Sequence, residues 1–284
     1  MIVWIASYPK SGNTFLRILL AEYMFGNFNS EYNFSTLSKI GMFPNLFKFN
    51  PLLDDNIIKN LNDLKDINTI YKHSIYAQKK LFSDGIHFLK THSSNFNINN
   101  QLFTNREITS CALYIIRDPR NILYSYSEYQ NKAPEIVFKE MTTETVQYQK
   151  YKEEWYPICQ MGSWQSNYLS WKNSQLDFPV KIIKYEDLVT KTKEVFFDIL
   201  IFLNKHANIS VDVLKMNQVV EKTEFNNLKK LEENGLFEEM SDFDKNNKFF
   251  KLGLKRDWKT DGVNVDLINN INHAYQEEIN SLGY

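Results

Sequence analysis

Apolar and polar positions along the chain follow two rhythms. Ile2, Val3, Trp4, Ile5 and Ala6 form a short apolar run that reads as a strand, and from Thr14 onward Phe15, Leu16, Leu19, Leu20, Tyr23 and Met24 recur on one helical face. The pairing repeats. Residues 86–89, 111–116 and 180–184 read as further strands, while 69–83, 121–129, 190–205 and about 264–281 read as helices. Strand followed by helix, several times over, predicts an α/β protein with a central parallel sheet flanked by helices. Two stretches lack clear periodicity. Residues 27–66, rich in Asn, Phe, Asp and Pro, read as irregular structure with short helices, either shaping a pocket or forming a mobile surface segment. Residues 132–158 read as a flexible or lid-like segment. No internal repeat, low-complexity linker or composition break divides the chain, which predicts one domain over residues 1–284.

The most informative stretch joins the first strand to the first helix: Ser7-Tyr8-Pro9-Lys10-Ser11-Gly12-Asn13-Thr14. A loop that opens a helix presents unpaired N–H groups and the positive end of the helix dipole, so its natural guest is an anion such as phosphate. The octet is close to the phosphate-binding motif G-x-x-x-x-G-K-[ST], but Ser7 stands at the first glycine, Asn13 at the lysine, and the cation has moved to Lys10. Later strands end in chemistry too. Residues 86–89 deliver Lys90-Thr91-His92, and residues 111–116 deliver Arg117-Asp118-Pro119 with Ser125 in the helix beyond. The C-terminal edge of a parallel sheet is where ligands bind. Two anion-holding groups on one sheet suit a donor with two phosphate groups, and His92, with an ordinary pKa near 6.5, suits proton uptake at neutral pH.

These motifs resemble those of the nucleotide-dependent sulfotransferases of the cytosolic type, whose loop reads Y-P-K-S-G-[TN]-T. The resemblance runs nearly end to end, through K-T-H, the strand-Arg-x-Pro-helix with its serine eight residues on, G-S-W…W at Gly162-Ser163-Trp164 and Trp171, and Y-E-D-[LM] at Tyr185. It implies a three-layer, P-loop NTPase-like fold and a donor, 3′-phosphoadenosine 5′-phosphosulfate (PAPS), that leaves as 3′-phosphoadenosine 5′-phosphate. By the same resemblance Lys10 stabilises the leaving phosphate and His92 is the base that deprotonates the acceptor. Lys10, Ser11, Gly12, Asn13, Thr14 and Phe15 would surround the phosphosulfate, Arg117 and Ser125 would hold the 3′-phosphate, and Tyr185 would contact the nucleotide. Thr223 and Phe225 would border the adenine, and Lys251 and Gly253 belong to the family's C-terminal phosphate motif. Departures occur. Ser93-Ser94 replaces the usual Leu-Pro beside the base, and in the C-terminal motif Lys251 replaces arginine, Leu252 lysine and Arg256 glycine, which reduces a bidentate fork to a point charge. Lys255 and Arg256 are the cations at hand to compensate.

Composition narrows the partners. Lys plus Arg number 33 against 34 Asp plus Glu, a net charge of −1, so no polyanion-binding surface is indicated and no nucleic-acid partner is expected. Aromatic residues make up 15%, consistent with core packing and with a ring-lined pocket. The cysteines are Cys111 and Cys159, with neither metal-ligand spacing nor a disulfide framework, which fits a reducing cytoplasmic compartment. The apolar run at the start is too short for a signal peptide or a membrane span, so no membrane association is expected. The expected function is sulfuryl transfer from PAPS to a hydroxyl or amine of a small acceptor, with no metal required. An ATP-dependent P-loop kinase and a catalytically silent nucleotide-binding protein are the alternatives. Asn13 in place of the lysine speaks against the kinase. The acceptor stays open between phenol, alcohol, amine and sugar hydroxyl, and without the family's short dimer motif the oligomeric state stays open as well.

Overall fold

A computed structural model of the chain describes residues 1–27, 32–45, 61–151, 153–237, 249–250, 258–259 and 263–284. In chain order the strands are β1 (Ile2–Ser7), β2 (His87–Thr91), β3 (Asn97–Ile98), β4 (Gln101–Leu102), β5 (Thr109–Ile116), β6 (Val146–Tyr151), β7 (Glu154–Gln160) and β8 (Val180–Lys184). The helices are α1 (Asn13–Phe25), α2 (Ile67–Leu81), α3 (Pro119–Gln130), α4 (Pro134–Thr142), α5 (Trp164–Asn173), α6 (Tyr185–Thr190), α7 (Thr192–Ala207), α8 (Val213–Lys222), α9 (Phe225–Glu233), α10 (Val265–Ala274) and α11 (Gln276–Leu282).

The central sheet has the order β2-β1-β5-β8 and is parallel throughout. β1, one of its two inner strands, explains the sequence pattern. Side chains of a strand point alternately to opposite faces, so Ile2, Trp4 and Ala6 enter one core with Leu89, Tyr114, Trp164 and Trp171, while Val3 and Ile5 enter another with Leu16, Leu20, Leu113 and Phe196. A sheet covered on both faces needs apolar residues at every position. Trp4 is fully buried, and its indole N–H donates to Thr109 Oγ1 at 3.1 Å, which satisfies its one polar atom.

The structure refines several expectations. The stripe on α1 extends to a second side. Leu16, Leu19, Leu20 and Tyr23 face the sheet, whereas Ile18 packs into a separate cluster with Phe34, Leu37, Leu228 and Phe250. Residues 132–158, expected as a flexible or lid-like segment, instead carry α4 and most of the antiparallel hairpin β6–β7. The period was hidden because α4 buries only Val137 and Met141, and a register shift between Gln147 and Tyr148 breaks the alternation of β6. The terminal helix is two helices, α10 and α11, interrupted at Tyr275. Of the irregular stretch 27–66, the described part includes short 3-10 turns at Leu37–Lys39 and Leu61–Lys65. Arg17 of α1 holds the first of these, donating to the carbonyls of Leu37 (3.3 Å) and Ile40 (2.7 Å).

Candidate active site

The register of the sheet brings four strand ends into a row. Ser7 ends β1 opposite Ile115, Ala6 pairs with Thr91, and Ile116 pairs with Lys184. The residues that follow the strands are therefore neighbours: the loop after Ser7, His92, Arg117 and Tyr185.

The loop is shaped by two left-handed residues, Lys10 (φ 63°) and Gly12 (φ 97°). Such alternation turns successive N–H groups toward one side and makes an anion-binding hollow. The N–H groups of Phe15 and Leu16 both return to the Gly12 carbonyl (3.1 and 3.3 Å), so the ladder of α1 begins there and leaves the preceding donors for a guest. Gly12 is required for a second reason. A Cβ built on it would lie 2.1 Å from Cδ2 of Tyr185, so the tyrosine ring rests directly on the glycine backbone. Asn13, buried, turns inward, its amide donating to the Ile5 carbonyl at 3.0 Å and to Ser7 Oγ at 3.2 Å. Its side chain ties the start of the helix to the end of the strand.

Arg117 clasps this loop from the neighbouring strand. Nη1 donates to the Lys10 carbonyl at 3.1 Å, and the guanidinium lies 4.6 Å from the centre of the Tyr185 ring. Burial pushes the Tyr185 phenol pKa up, opposed by the nearby Arg117 charge, so the ring stays neutral. Nε of Arg117 and Oγ of Ser11 are buried here without a hydrogen-bond partner, as are Tyr8 Oη and Asn13 Oδ1 in the same loop. A buried donor without an acceptor is costly. Arg117 Nε and Ser11 Oγ can both bind anionic oxygens, so the residues fit a phosphorylated guest.

His92 is buried, with Nδ1 2.7 Å from the Ser7 carbonyl. A carbonyl can only accept, so Nδ1 carries the proton and Nε2 is left as the basic nitrogen. Burial, followed by the charge of Lys90, lowers the His92 pKa to about 3; Arg17 and Lys10 add to this, and the Ser7 contact opposes it. The imidazole is thus neutral and able to accept a proton. Lys10 extends its ammonium between two rings, 4.5 Å from the centre of Tyr129 and 4.6 Å from that of Phe249.

The remaining expected residues divide. Ser125 is half-buried on α3, four residues before Tyr129 and therefore on the same helix face. Thr14 is buried and Phe15 half-buried at the start of α1. Thr223 is buried, but its hydroxyl donates to the Val219 carbonyl at 2.8 Å, so the side chain serves the end of α8. Phe225 keeps an exposed ring beside Phe250, free to cover a flat ligand. Lys251, Gly253, Lys255 and Arg256 lie outside the described residues. The sequence reading assigned no role to Tyr129, Phe249 or Ser7. Tyr129 could have been found from its i,i+4 spacing to Ser125; the other contacts are between residues far apart in the chain. Among the described residues no group of His, Cys, Asp and Glu is placed to hold a metal ion, and no helix is long and apolar enough to cross a membrane.

A parallel α/β sheet whose strand ends carry an anion loop, a clasping guanidinium and a buried neutral imidazole defines a phosphate-loop protein that binds a nucleotide-like anion. The chain belongs to the sulfotransferase domain family, whose profile matches residues 2–283. Among curated protein sequences none matches significantly. Solved structures share the fold. Retinol dehydratase in complex with androsterone and the inactive cofactor PAP superposes with a TM-score of 0.55 at 14% identity, covering 98% of this chain and 80% of that one. The same protein with retinol and PAP gives 0.56 at 14%, covering 98% and 81%. Mouse sulfotransferase SULT7A1 complexed with PAP gives 0.53 at 17%, covering 98% and 83%.

Proposed function

We propose that this chain is a one-domain, PAPS-dependent sulfotransferase that acts on a hydroxyl or amine of a small acceptor. The observation that carries the reading is the pair of buried, unpartnered donors, Ser11 Oγ and Arg117 Nε, beside a left-handed loop at the head of α1. PAPS supplies an activated sulfuryl group when bound. The N–H groups of residues 11–14 and the Ser11 hydroxyl hold its 5′ end, and Arg117 with Ser125 holds the 3′-phosphate. Tyr185 and Phe225 offer rings to the base.

Lys10 provides the positive charge that stabilises the leaving phosphate, a role that depends on position rather than on bond-making. His92 takes the acceptor proton on Nε2, since Nδ1 is committed to Ser7. Burial is the main cause of the low pKa of His92 and remains when the donor binds. An anionic donor offsets the smaller part due to the charges of Lys90, Arg17 and Lys10, so donor binding restores the basicity of His92 in part. General-base catalysis of this kind is worth about 10²–10⁴-fold.

Met42, Ile158, Cys159 and Met161 form a small apolar cluster, and Ser93, next to His92, donates to Cys159 Sγ at 3.3 Å. An apolar wall near the base favours a partly apolar acceptor, in keeping with the retinol and androsterone held by the related fold. Cys111 and Cys159 are buried, unpaired and pushed to a pKa of about 12 by burial, consistent with a cytoplasmic protein. The deciding experiment is calorimetric titration with 3′-phosphoadenosine 5′-phosphate beside ATP, without added metal, followed by a mass-spectrometric acceptor screen with PAPS. Preference for the bisphosphate supports the reading. Preference for ATP with Mg²⁺ transfers it to a kinase.

A further inference from the structure

The Lys10 ammonium is bracketed by two aromatic rings that come from distant parts of the chain. Tyr129 belongs to α3, and its ring centre lies 4.5 Å from Nζ. Phe249 follows α9, and its ring centre lies 4.6 Å from Nζ. Both distances are within the range where a ring face attracts a cation. The Phe249 ring is itself held. Buried Glu232 accepts the backbone N–H of Phe249 with one carboxylate oxygen and that of Phe250 with the other, the latter at 2.9 Å. Phe237 adds a ring contact at 5.2 Å, and Phe250 packs into the cluster around Ile18 and Phe34.

We propose that Tyr129 and Phe249 are positioning residues that form a cation–π clamp on Lys10, with Glu232 as the anchor that sets Phe249. A lysine head sits on a flexible four-carbon stem with many rotamers, and each ring contact narrows them. The clamp confines it at the mouth of the loop, so that little ordering is left for the transfer step. It also links the catalytic cation to the segment beyond α9. This inference rests on the reading of Lys10 as the transfer cation.

Because the loop N–H groups and Arg117 hold the donor in the ground state, loss of the clamp should lower kcat more than donor affinity. Tyr129→Leu and Phe249→Leu remove the π faces and keep apolar bulk, while Tyr129→Phe keeps the face. Two measurements apply: trace acetylation of Lys10 in the unliganded protein, read by peptide mass spectrometry, and steady-state kinetics with PAPS beside calorimetry with the bisphosphate. The leucine variants should label Lys10 several-fold faster and lose about tenfold in kcat, with bisphosphate affinity changed less than about threefold; Tyr129→Phe should restore both. Unchanged labelling in both leucine variants overturns the clamp. So does a loss of bisphosphate affinity as large as the loss in kcat, which would make the rings part of the nucleotide site. If Phe249→Leu does not fold, the Tyr129 pair decides alone. If the wild-type protein neither binds the bisphosphate nor transfers sulfuryl groups, the functional reading falls, while the labelling contrast still decides the clamp.

Discussion

Nδ1 of His92 donates to the carbonyl oxygen of Ser7 at 2.7 Å, joining the residue after β2 to the last residue of β1. The contact fixes the tautomer and directs Nε2 away from the strand as the lone-pair nitrogen. Burial nevertheless outweighs this support. The folded pKa falls to about 3 from an ordinary 6.5.

That depression predicts a pH dependence of stability. Below pH 6.5 the unfolded chain takes up a proton at this site and the folded chain does not, so falling pH favours unfolding. The contribution of His92 is fully present above about pH 6.5 and is lost toward about pH 3, at up to about 1.4 kcal/mol per pH unit. Urea unfolding at a series of pH values should show a shallower acid loss for His92→Gln than for the wild-type protein. Parallel curves would mean that His92 titrates alike in the folded and the unfolded chain.

Gly12 and Tyr185 are predicted to be coupled. The ring occupies the place of the missing Cβ, and the backbone sits at φ 97°. Gly12→Ala must displace the ring and strain the loop, at a cost of about 2 kcal/mol or more. Removing the ring as well should leave only the backbone strain, about 1–2 kcal/mol, so Gly12→Ala with Tyr185→Ala should cost less than the sum of the single changes. Thermal unfolding of the four proteins of the cycle measures this, and additivity would show that the close approach is absent in solution.

Arg117 supplies more than charge. It donates to the Lys10 carbonyl at 3.1 Å, stacks on Tyr185 and keeps Nε unpartnered for a guest. Lysine can replace the charge but not this planar fork, so Arg117→Lys should weaken bisphosphate binding about tenfold and Arg117→Ala about a hundredfold. Calorimetry separates the two. A lysine variant that bound like the wild-type protein would show that a point charge is enough.

The sequence revealed what is local. β1, the loop and α1 follow one another, and their apolar spacing and the Gly12 turn can be read from one short stretch. The strand-helix order likewise exposed the sheet and the strand ends that carry His92, Arg117 and Tyr185. What escaped depends on contacts between distant positions. The pairing of His92 with Ser7 and the enclosure of Lys10 by Tyr129 and Phe249 leave no periodic mark. Thr223 was legible as a motif residue, but its hydroxyl is committed to the carbonyl of Val219. The hairpin β6–β7 was hidden by its register shift and by the exposed rings of Tyr148 and Trp155, which blur the contrast between its faces.

Asn13 gives the clearest separation from kinase chemistry. It stands where the nucleotide triphosphatase motif has lysine, yet its buried amide is committed to the Ile5 carbonyl and the Ser7 hydroxyl. A lysine here would lose the fit between helix start and strand end and would place an ammonium at a buried position. Asn13→Lys should therefore cost about 2–4 kcal/mol of stability, in the range for burying an unpaired charge, and should confer no ATP hydrolysis. Denaturant unfolding and a phosphate-release assay check the two halves. A stable Asn13→Lys protein that hydrolyses ATP would mean that the site differs from a nucleotide triphosphatase by one residue. The inward amide predicts instead that the loop is built around Asn13, with its working cation at Lys10.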